Sequence, residues 1–436
     1  MHRPDGPARG NGRATGSVTG PVTRPGDRVE PVPDRGRDQG PGWADGACPY
    51  GEPAEGRWPC PCPPGPTQGR PSRALAWVDR LKVATIAGVV VVHVATAYVV
   101  DIGWYYEERT TSQVTPVLLG VPAFLAGVFG LAPLFLVGGW MAAGSLARRG
   151  PGPFARARLL RLGVPTVLYF LLVDPFADYL GGRVQGESRT LVDYLTDLGG
   201  DRDLGPVWFI TVLLVLSLAY AAWRRVWPAR PRPGRLTART IATAALVVAA
   251  ADVVTWLRWS YFSDTLWNLN WQHWPQAAGV FAVGALARER GWLDTVPRRL
   301  GRGSGLVAVA CLVVFTGFAA YGFATEDEAL VRGVHPFALT FAVVDGLGAL
   351  TLAVWAWWWF RERWSGPQGP VLARASRGAY AAYLLHPVVL VAISGAVHSL
   401  PWAPEAKFVL VSAVGVPAVF AVGWLVTRVP GVSRVL

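Results

Sequence analysis

A basic residue and a histidine lie eleven positions apart in the first long apolar run of the chain. They are Lys82 and His93, in the stretch Asp79–His93. Because an α-helix turns about 100° and rises about 1.5 Å per residue, both side chains would lie on one helix face, about 16 Å apart. That is about half of the hydrocarbon thickness of a bilayer, which suits a long substrate with an anionic head at the membrane surface and a buried reactive end. The alternative is a lysine that anchors the helix and a histidine that hydrogen-bonds to a neighbouring helix.

Two more ionisable side chains interrupt apolar runs. His386 precedes Pro387, so it either exchanges a proton with a hydroxyl or binds the carbonyl that the proline leaves free. Asp345 needs a partner at membrane depth, and the candidates are His93, His386 or a water-filled cavity; the alternative is an interhelical hydrogen bond. Tyr383, one helical turn before His386, is a candidate hydrogen-bond donor or a packing residue.

Arginines cluster next to the third apolar run. Arg158 and Arg161 would share a helix face, and Arg156 extends the group. A guanidinium forks two donors toward a phosphate, so the cluster with Lys82 predicts a cradle for a polyphosphate that arrives from the cytoplasm. For any single arginine, the alternative is the ordinary excess of basic residues on the cytoplasmic side of a membrane.

Composition limits the class of protein. The chain has 436 residues, of which 52% are hydrophobic and only 16% charged, which is too apolar for an ordinary soluble domain. The net charge of +12 comes from short arginine clusters between apolar runs, so it indicates membrane topology and not nucleic-acid binding. The four cysteines lack the spacing of a zinc site, and no metal site is predicted.

The pattern predicts an all-α, polytopic integral membrane protein in three segments. Residues 1–72, rich in Pro, Gly and Arg, should form a disordered cytoplasmic tail. Residues 73–428 should form one domain of about ten transmembrane helices, and 429–436 a short cytoplasmic C-terminus. The predicted spans are Leu75–Val100, Pro116–Leu146 with a break at Pro122 or Pro133, Leu159–Leu180, Pro206–Trp223, Ile241–Leu257, the short Pro275–Ala287, Gly305–Phe323, Pro336–Phe360, Ala379–His398 and Ala406–Thr427.

Loop charge predicts orientation. Arginines fill every second connection, and acidic residues are concentrated in the alternate connections, which places both termini in the cytoplasm by the positive-inside rule. Asp174, Asp178 and Asp252 lie near the outer ends of their spans and are expected to be interfacial or solvated. The loop from Trp256 to Trp274 is dense in aromatic rings, which indicates either an interfacial belt or a platform that stacks on a sugar or polyketide.

Several short segments of the chain, in their order along the sequence, resemble motifs of the membrane-bound acyltransferase-3 family. Its opening pattern, Asp-Gly-Leu-Arg followed by ten residues and a histidine, is matched by Asp79-Arg80-Leu81-Lys82 and His93. The family's apolar Phe-Ser-Gly segment is matched by Leu134–Trp140, and its Arg-x-x-Arg cluster by Arg158 and Arg161. Its fourth span opens with Trp-Phe, as Trp208-Phe209 does here. Its Ser-Tyr…Tyr-Leu-x-His-Pro stretch is matched by Ser376–Tyr383 with His386 and Pro387. Among the positions that depart from the pattern, two bear on the proposed chemistry: Lys82 replaces arginine and Gly138 replaces serine.

The resemblance implies an O-acyltransferase that uses cytoplasmic acyl-CoA as donor substrate and has no permanently bound cofactor. Lys82, Arg158 and Arg161, with Arg156 nearby, would bind the CoA phosphates, and His93 would deprotonate the acceptor hydroxyl. Tyr383, His386, Asp345 and Trp208 are possible supporting residues. The acyl group would be acetyl or another short chain, and the acceptor a cell-envelope glycan, a lipid-linked sugar or a secondary metabolite at the plasma membrane. The alternative is a proton-coupled transporter or flippase that uses His93, His386 and Asp345.

Overall fold

The computed structural model describes residues 75–99, 103–112, 114–197, 202–229, 233–259, 266–325 and 334–432. The predicted tail at 1–72 and the last four residues of the predicted C-terminal segment lie outside these ranges. Within them, every regular element is helical, which confirms the all-α class. The described residues all belong to one unit, Gly69–Leu436.

Fourteen α-helices make up this unit in the described ranges. They are α1 (Ala76–Tyr98), α2 (Val121–Phe129), α3 (Ala132–Arg149), α4 (Pro151–Arg158), α5 (Val164–Leu168), α6 (Asp174–Val184), α7 (Leu191–Thr196), α8 (Trp208–Val226), α9 (Ala238–Trp256), α10 (Trp274–Arg290), α11 (Arg298–Thr325), α12 (Pro336–Arg363), α13 (Pro370–Val397) and α14 (Pro404–Val426).

Nine helical stretches in the described ranges are long and apolar enough to cross a membrane. They coincide with nine of the ten predicted spans. The remaining span, predicted as Pro275–Ala287, is α10, which has only 17 residues. Among its described residues, the domain is therefore a multi-pass membrane bundle of nine long helical stretches together with the shorter α10.

The second and third spans are not continuous α-helices. The second is divided into α2 and α3 at Gly130-Leu131, and Pro133 occupies the first turn of α3. Proline fits there because the N–H groups of the first turn have no intrahelical acceptor. Of the two breaks considered from the sequence, the one next to Pro133 is observed as an interruption between α2 and α3. The third span contains two π-helical turns, Leu159–Gly163 and Tyr169–Val173, which the 3.6-residue periodicity did not predict.

Helix α1 lies at the centre of the site described below. It packs against α13 and α14 on one side and against α2, α3 and α12 on others. Its 23 residues carry both Lys82 and His93, so the predicted placement of these two residues on one helix is confirmed.

Helices α3 and α10 approach closely through glycines. A Cβ added at Gly284 would overlap the backbone carbonyl of Leu136, and one added at Gly139 would overlap the carbonyl of Phe281. Small residues allow such contact in membranes, where close van der Waals packing holds helices together. This contact fixes the position of α10 relative to the rest of the bundle.

Substitution of Gly284 tests that contact. We expect Gly284→Val to lower the thermal unfolding temperature of the detergent-purified protein strongly, because two backbones must move apart, and overpacking of a core commonly costs about 1–3 kcal/mol or more. Gly317→Val in α11 is the matched control, since a Cβ there has no neighbour within 4 Å. Equal melting of both variants would show that the α3–α10 approach is not required for stability.

Candidate active site

A cavity of about 500 Å³ lies beside the C-terminal half of α1. His93 and Thr96 of α1 line it, together with Trp208 at the start of α8 and Tyr383 of α13. The rest of the lining comes from α2, from α6, from the segments that precede α8 and α10, and from the segment that follows α1. Three of the residues singled out from the sequence, His93, Trp208 and Tyr383, are therefore brought together around one space.

Local hydrogen bonding fixes the state of the His93 ring. Its Nδ1 lies 2.8 Å from the carbonyl oxygen of Val89, one turn earlier in α1. A carbonyl only accepts, so Nδ1 carries the proton and donates it. The lone pair is therefore on Nε2, which is the arrangement that a general base requires.

Two aromatic rings hold His93 in place. The indole of Trp104, in the segment after α1, lies with its centroid 4.5 Å from the imidazole, and the planes are inclined by 31°. The ring of His386 lies 4.8 Å away, from α13. Trp104 also lines the cavity, whereas His386 is fully buried and does not. The sequence did not identify Trp104, because its contact with His93 depends on how the chain returns after α1.

His386 compensates for a proline. Pro387 has no N–H, so it cannot donate to the carbonyl of Tyr383 four residues earlier. The Nδ1 of His386 donates to that same carbonyl at 2.6 Å. Its Nε2 is buried and has no hydrogen-bond partner among the described residues. Of the two roles considered from the sequence for His386, the observed contact is the one in which it binds the carbonyl that the proline leaves free. This contact holds the His386 ring next to His93.

The hydroxyl of Tyr383 has a partner within the protein. It donates to the backbone carbonyl of Pro206, just before α8. Tyr380, one turn earlier in α13, donates to the carbonyl of Arg161 at 2.7 Å. Both tyrosines therefore connect α13 to neighbouring segments, and the Tyr383 hydroxyl joins two walls of the cavity.

The predicted phosphate-binding residues lie away from this cavity, and none of the four lines it. Lys82 forms an ion pair with Asp79 at 2.7 Å, with 38% of its side chain exposed. Arg156 and Arg161 are exposed and Arg158 is half-buried, with its guanidinium 5.2 Å from the ring centroid of Phe154. Lys82 begins the helix face that leads to His93, about 16 Å along α1.

The arginines near α4 form a group of like charge. Arg149 and Arg161 both interact electrostatically with Arg158. Like charges repel, and a bound polyanion would relieve that repulsion. Arg161 belongs to the π-helical turn Leu159–Gly163 and not to a regular α-helix, so the predicted regular helical spacing from Arg158 does not apply. Despite this change, the cluster has the charge that a phosphate-bearing ligand requires.

Asp345 has different partners from those that the sequence suggested. Its Oδ1 accepts a 3.0 Å hydrogen bond from the side-chain amide of Gln276 in α10. It also interacts electrostatically with Asp252 of α9, and neither carboxylate oxygen of Asp252 has a hydrogen-bond partner among the described residues. All three side chains are at least 95% buried, so the expectation of an interfacial or solvated Asp252 was wrong. The interhelical hydrogen bond is the alternative that the structure supports.

This carboxylate pair gives a stability prediction. Asp252→Asn should leave the unfolding temperature unchanged or raise it, because an amide removes the repulsion between two buried carboxylates and supplies a donor. Asp345→Ala should lower the free energy of unfolding by about 1–3 kcal/mol, because it leaves the buried Gln276 amide without its acceptor. Thermal unfolding of the purified variants measures both. A loss of stability in Asp252→Asn as large as that in Asp345→Ala would contradict the assignment.

Further polar residues of the cavity wall were missed or misjudged from the sequence. Asp203 and His273 line the cavity, and neither was singled out. Asp174 also lines it and is only 1% exposed, so the expectation that Asp174 is interfacial or solvated was wrong. A polar residue at the end of an apolar run can lie at the membrane interface or in the wall of a buried cavity. The sequence contains no signal that distinguishes these two positions.

A family model described as an acyltransferase domain matches residues 75–428, which is most of the chain. The chain belongs to this acyltransferase family. The resemblance to membrane-bound acyltransferase-3 proteins is thereby confirmed, and the protein is a membrane acyltransferase. No curated protein and no solved structure matches the chain. The matched region of the acyltransferase includes the whole of α1 and every residue of the cavity wall.

Proposed function

We propose that this acyltransferase moves an acetyl or other short acyl group from cytoplasmic acyl-CoA to a hydroxyl of a cell-envelope glycan, a lipid-linked sugar or a secondary metabolite. The observation that carries the proposal is the state of His93. Its Nδ1–H is engaged by the Val89 carbonyl, and the ring borders a cavity large enough for part of an acceptor. Family membership favours transfer over the transporter considered from the sequence.

His93 would act as general base and then as general acid. Its Nε2 takes the proton of the acceptor hydroxyl while the oxygen attacks the thioester carbonyl. The tetrahedral intermediate expels the CoA sulfur, which takes the proton from Nε2 and leaves as the thiol. The products are an ester and free CoA, and the imidazole returns to its neutral form. Ring contacts with Trp104 and His386 would keep the imidazole in the orientation that this exchange needs.

The donor would reach His93 from the arginine-rich end of the bundle. The phosphates of CoA would bind Lys82, Arg158 and Arg161, with Arg156 contributing attraction from the exposed surface. The pantetheine arm would follow α1 over the interval from Lys82 to His93. This route places the donor in the cytoplasm and both termini on the same side of the plasma membrane, as the loop charges predict.

Label transfer tests the proposal directly. Membranes that contain the protein would be incubated with acetyl-CoA labelled in the acetyl group, and lipid, glycan and small-molecule fractions would be counted. We expect label in one fraction, and none in matched membranes without the protein. Label that stays entirely in acetyl-CoA, with longer acyl donors also inactive, would contradict the proposed donor and acceptor.

A further inference from the structure

Three carboxylates line the cavity. Asp174 and Asp178 of α6 and Asp203 before α8 all line it. Its described lining contains no lysine or arginine, and its remaining titratable groups are histidines and tyrosines. The cavity therefore combines one ring nitrogen suited to proton transfer, on His93, with a wall that carries carboxylates.

Asp174 is held rigidly and retains an unused acceptor. The hydroxyl of Tyr105 donates to its Oδ1 at 2.7 Å, and Tyr105 is itself 2.8 Å from the hydroxyl of Tyr169. The backbone N–H of Asp203 also interacts with this carboxylate, and its other oxygen, Oδ2, is buried without a geometrically formed hydrogen bond among the described residues. A buried acceptor without a donor costs free energy, and a ligand that supplies the donor would recover it.

Asp203 adds a second fixed carboxylate on the same wall. Its Oδ2 accepts from the side-chain amide of Asn268 at 3.2 Å. Burial raises the pKa of Asp203, which means that its charged form is poorly solvated there. A cation in the cavity would offset that loss of solvation.

The arginines next to this wall are already engaged. A smaller pocket of about 190 Å³ adjoins the cavity and shares Trp104, Tyr105 and Asp178 with it. Arg202 in that pocket donates to the backbone carbonyls of Phe170, Tyr194, Leu195 and Asp197. Arg189 forms an ion pair with Asp197 at 3.0 Å. Their observed contacts are with these groups and not with Asp174 or Asp203.

Aromatic rings complete the site. Trp104, Tyr105 and Trp208 line the same cavity as the carboxylates. Ring faces attract a nearby cation through their quadrupole, and they also pack on the apolar face of a sugar. Because the Trp104 ring also contacts the His93 ring, a ligand that contacts this indole lies next to the proposed base.

We propose that the acceptor carries a protonated amine, as in an amino sugar or an aminated metabolite, and that Asp174 and Asp203 bind the ammonium group. This inference rests on the proposed function, because it names the acceptor class of the same site. An ammonium offers three donors and a full positive charge, and carboxylates are its natural partners. A hydroxyl elsewhere on the same molecule would then lie toward Nε2 of His93. The bound ammonium stays protonated, so the hydroxyl is the group that is acylated.

Binding of two matched sugars tests the inference without any acyl transfer. The probes are methyl 6-amino-6-deoxyglucoside and methyl glucoside, which differ by an ammonium in place of one hydroxyl. Saturation-transfer NMR on the full chain in nanodiscs at pH 7 measures both dissociation constants. We expect the amine to bind at least about tenfold more tightly, as for a hydrogen bond between charged groups.

Three variants complete the test. In Asp174→Asn and in Asp203→Asn, the preference for the amine should fall to about threefold or less. Asp294→Asn, at an exposed position outside the cavity, is the matched control and should keep the full preference. An unfolding temperature equal to that of the wild type in each variant establishes that the protein remains folded.

The outcomes separate the two proposals. Equal binding of both sugars to the wild type, or a preference that survives in both cavity variants, would overturn the cationic acceptor. Since no acyl donor is present, a failure to detect acyl transfer would count against the proposed function alone. An amine preference in a protein that transfers no acyl group would leave the cation site established and the reaction refuted.

Discussion

His93→Ala should reduce the turnover number by about 10²- to 10⁴-fold while leaving acyl-CoA binding nearly unchanged. This range is typical of a positioned general base, which accelerates proton transfer without contributing to ground-state affinity. The substitution removes the Nε2 lone pair and leaves the backbone of α1 intact, because Val89 O receives its side-chain hydrogen bond in addition to the helical one. Turnover is measured by label transfer, and the donor dissociation constant by equilibrium binding of labelled acetyl-CoA.

Val91→Ala is the matched control for this variant. It removes side-chain volume from the same helix at a position that is 36% exposed and does not line the cavity. We expect nearly wild-type turnover. If His93→Ala kept the turnover of Val91→Ala, His93 would be a packing residue and another group would have to accept the proton.

The order of helices could be predicted from composition and periodicity, because burial in a bilayer requires long apolar runs in which every backbone group is satisfied within the helix. The same reasoning placed Lys82 and His93 on one helix, and the length of the second span led to two candidate breaks, at Pro122 or Pro133. These features depend on short stretches of sequence. They were therefore accessible without knowledge of the tertiary structure.

The part of the cavity lining outside α1 depends on contacts between segments that are distant in sequence. Trp104 reaches His93 from the chain after α1, and Asp203 and His273 come from the ends of two other connections. No periodic pattern relates these positions. Likewise, the contact between Asp345 and Gln276 depends on the rotation of α10 and α12 about their axes, which the nearly uniform apolar composition of membrane helices does not specify.

The π-helical turns limit predictions in a different way. Residues 159–163 and 169–173 each form a wide turn inside the third span, so the angular position of every later residue in that span changes. Such turns often occur at functional sites. One of them contains Arg161, whose carbonyl accepts from Tyr380 of α13. The arginine cluster is therefore connected to the helix that carries His386.

Arg158→Ala should raise the Michaelis constant for acetyl-CoA by about 10- to 100-fold with little change in turnover, because a charged hydrogen bond to phosphate contributes about 1.5–3 kcal/mol. The side chain is half-buried against Phe154, so it is better fixed than a free surface arginine. The like charges of Arg149 and Arg161 beside it would favour a bound anion. Steady-state label transfer over a range of donor concentrations separates the two parameters. Arg225→Ala, at an exposed position of α8, is the control for general loss of positive charge.

A donor that lacks one phosphate makes the test specific. If Arg158 binds the 3′-phosphate of CoA, the wild type should bind acetyl-dephospho-CoA as weakly as Arg158→Ala binds acetyl-CoA. The variant should then show little further loss with the dephosphorylated donor, since both changes remove the same interaction. If the substitution and the missing phosphate instead weakened donor binding by independent, additive amounts, Arg158 would bind another part of the donor. A Michaelis constant in Arg158→Ala equal to that in Arg225→Ala would remove Arg158 from the donor site, and Lys82 with Arg161 would be the remaining phosphate ligands to test.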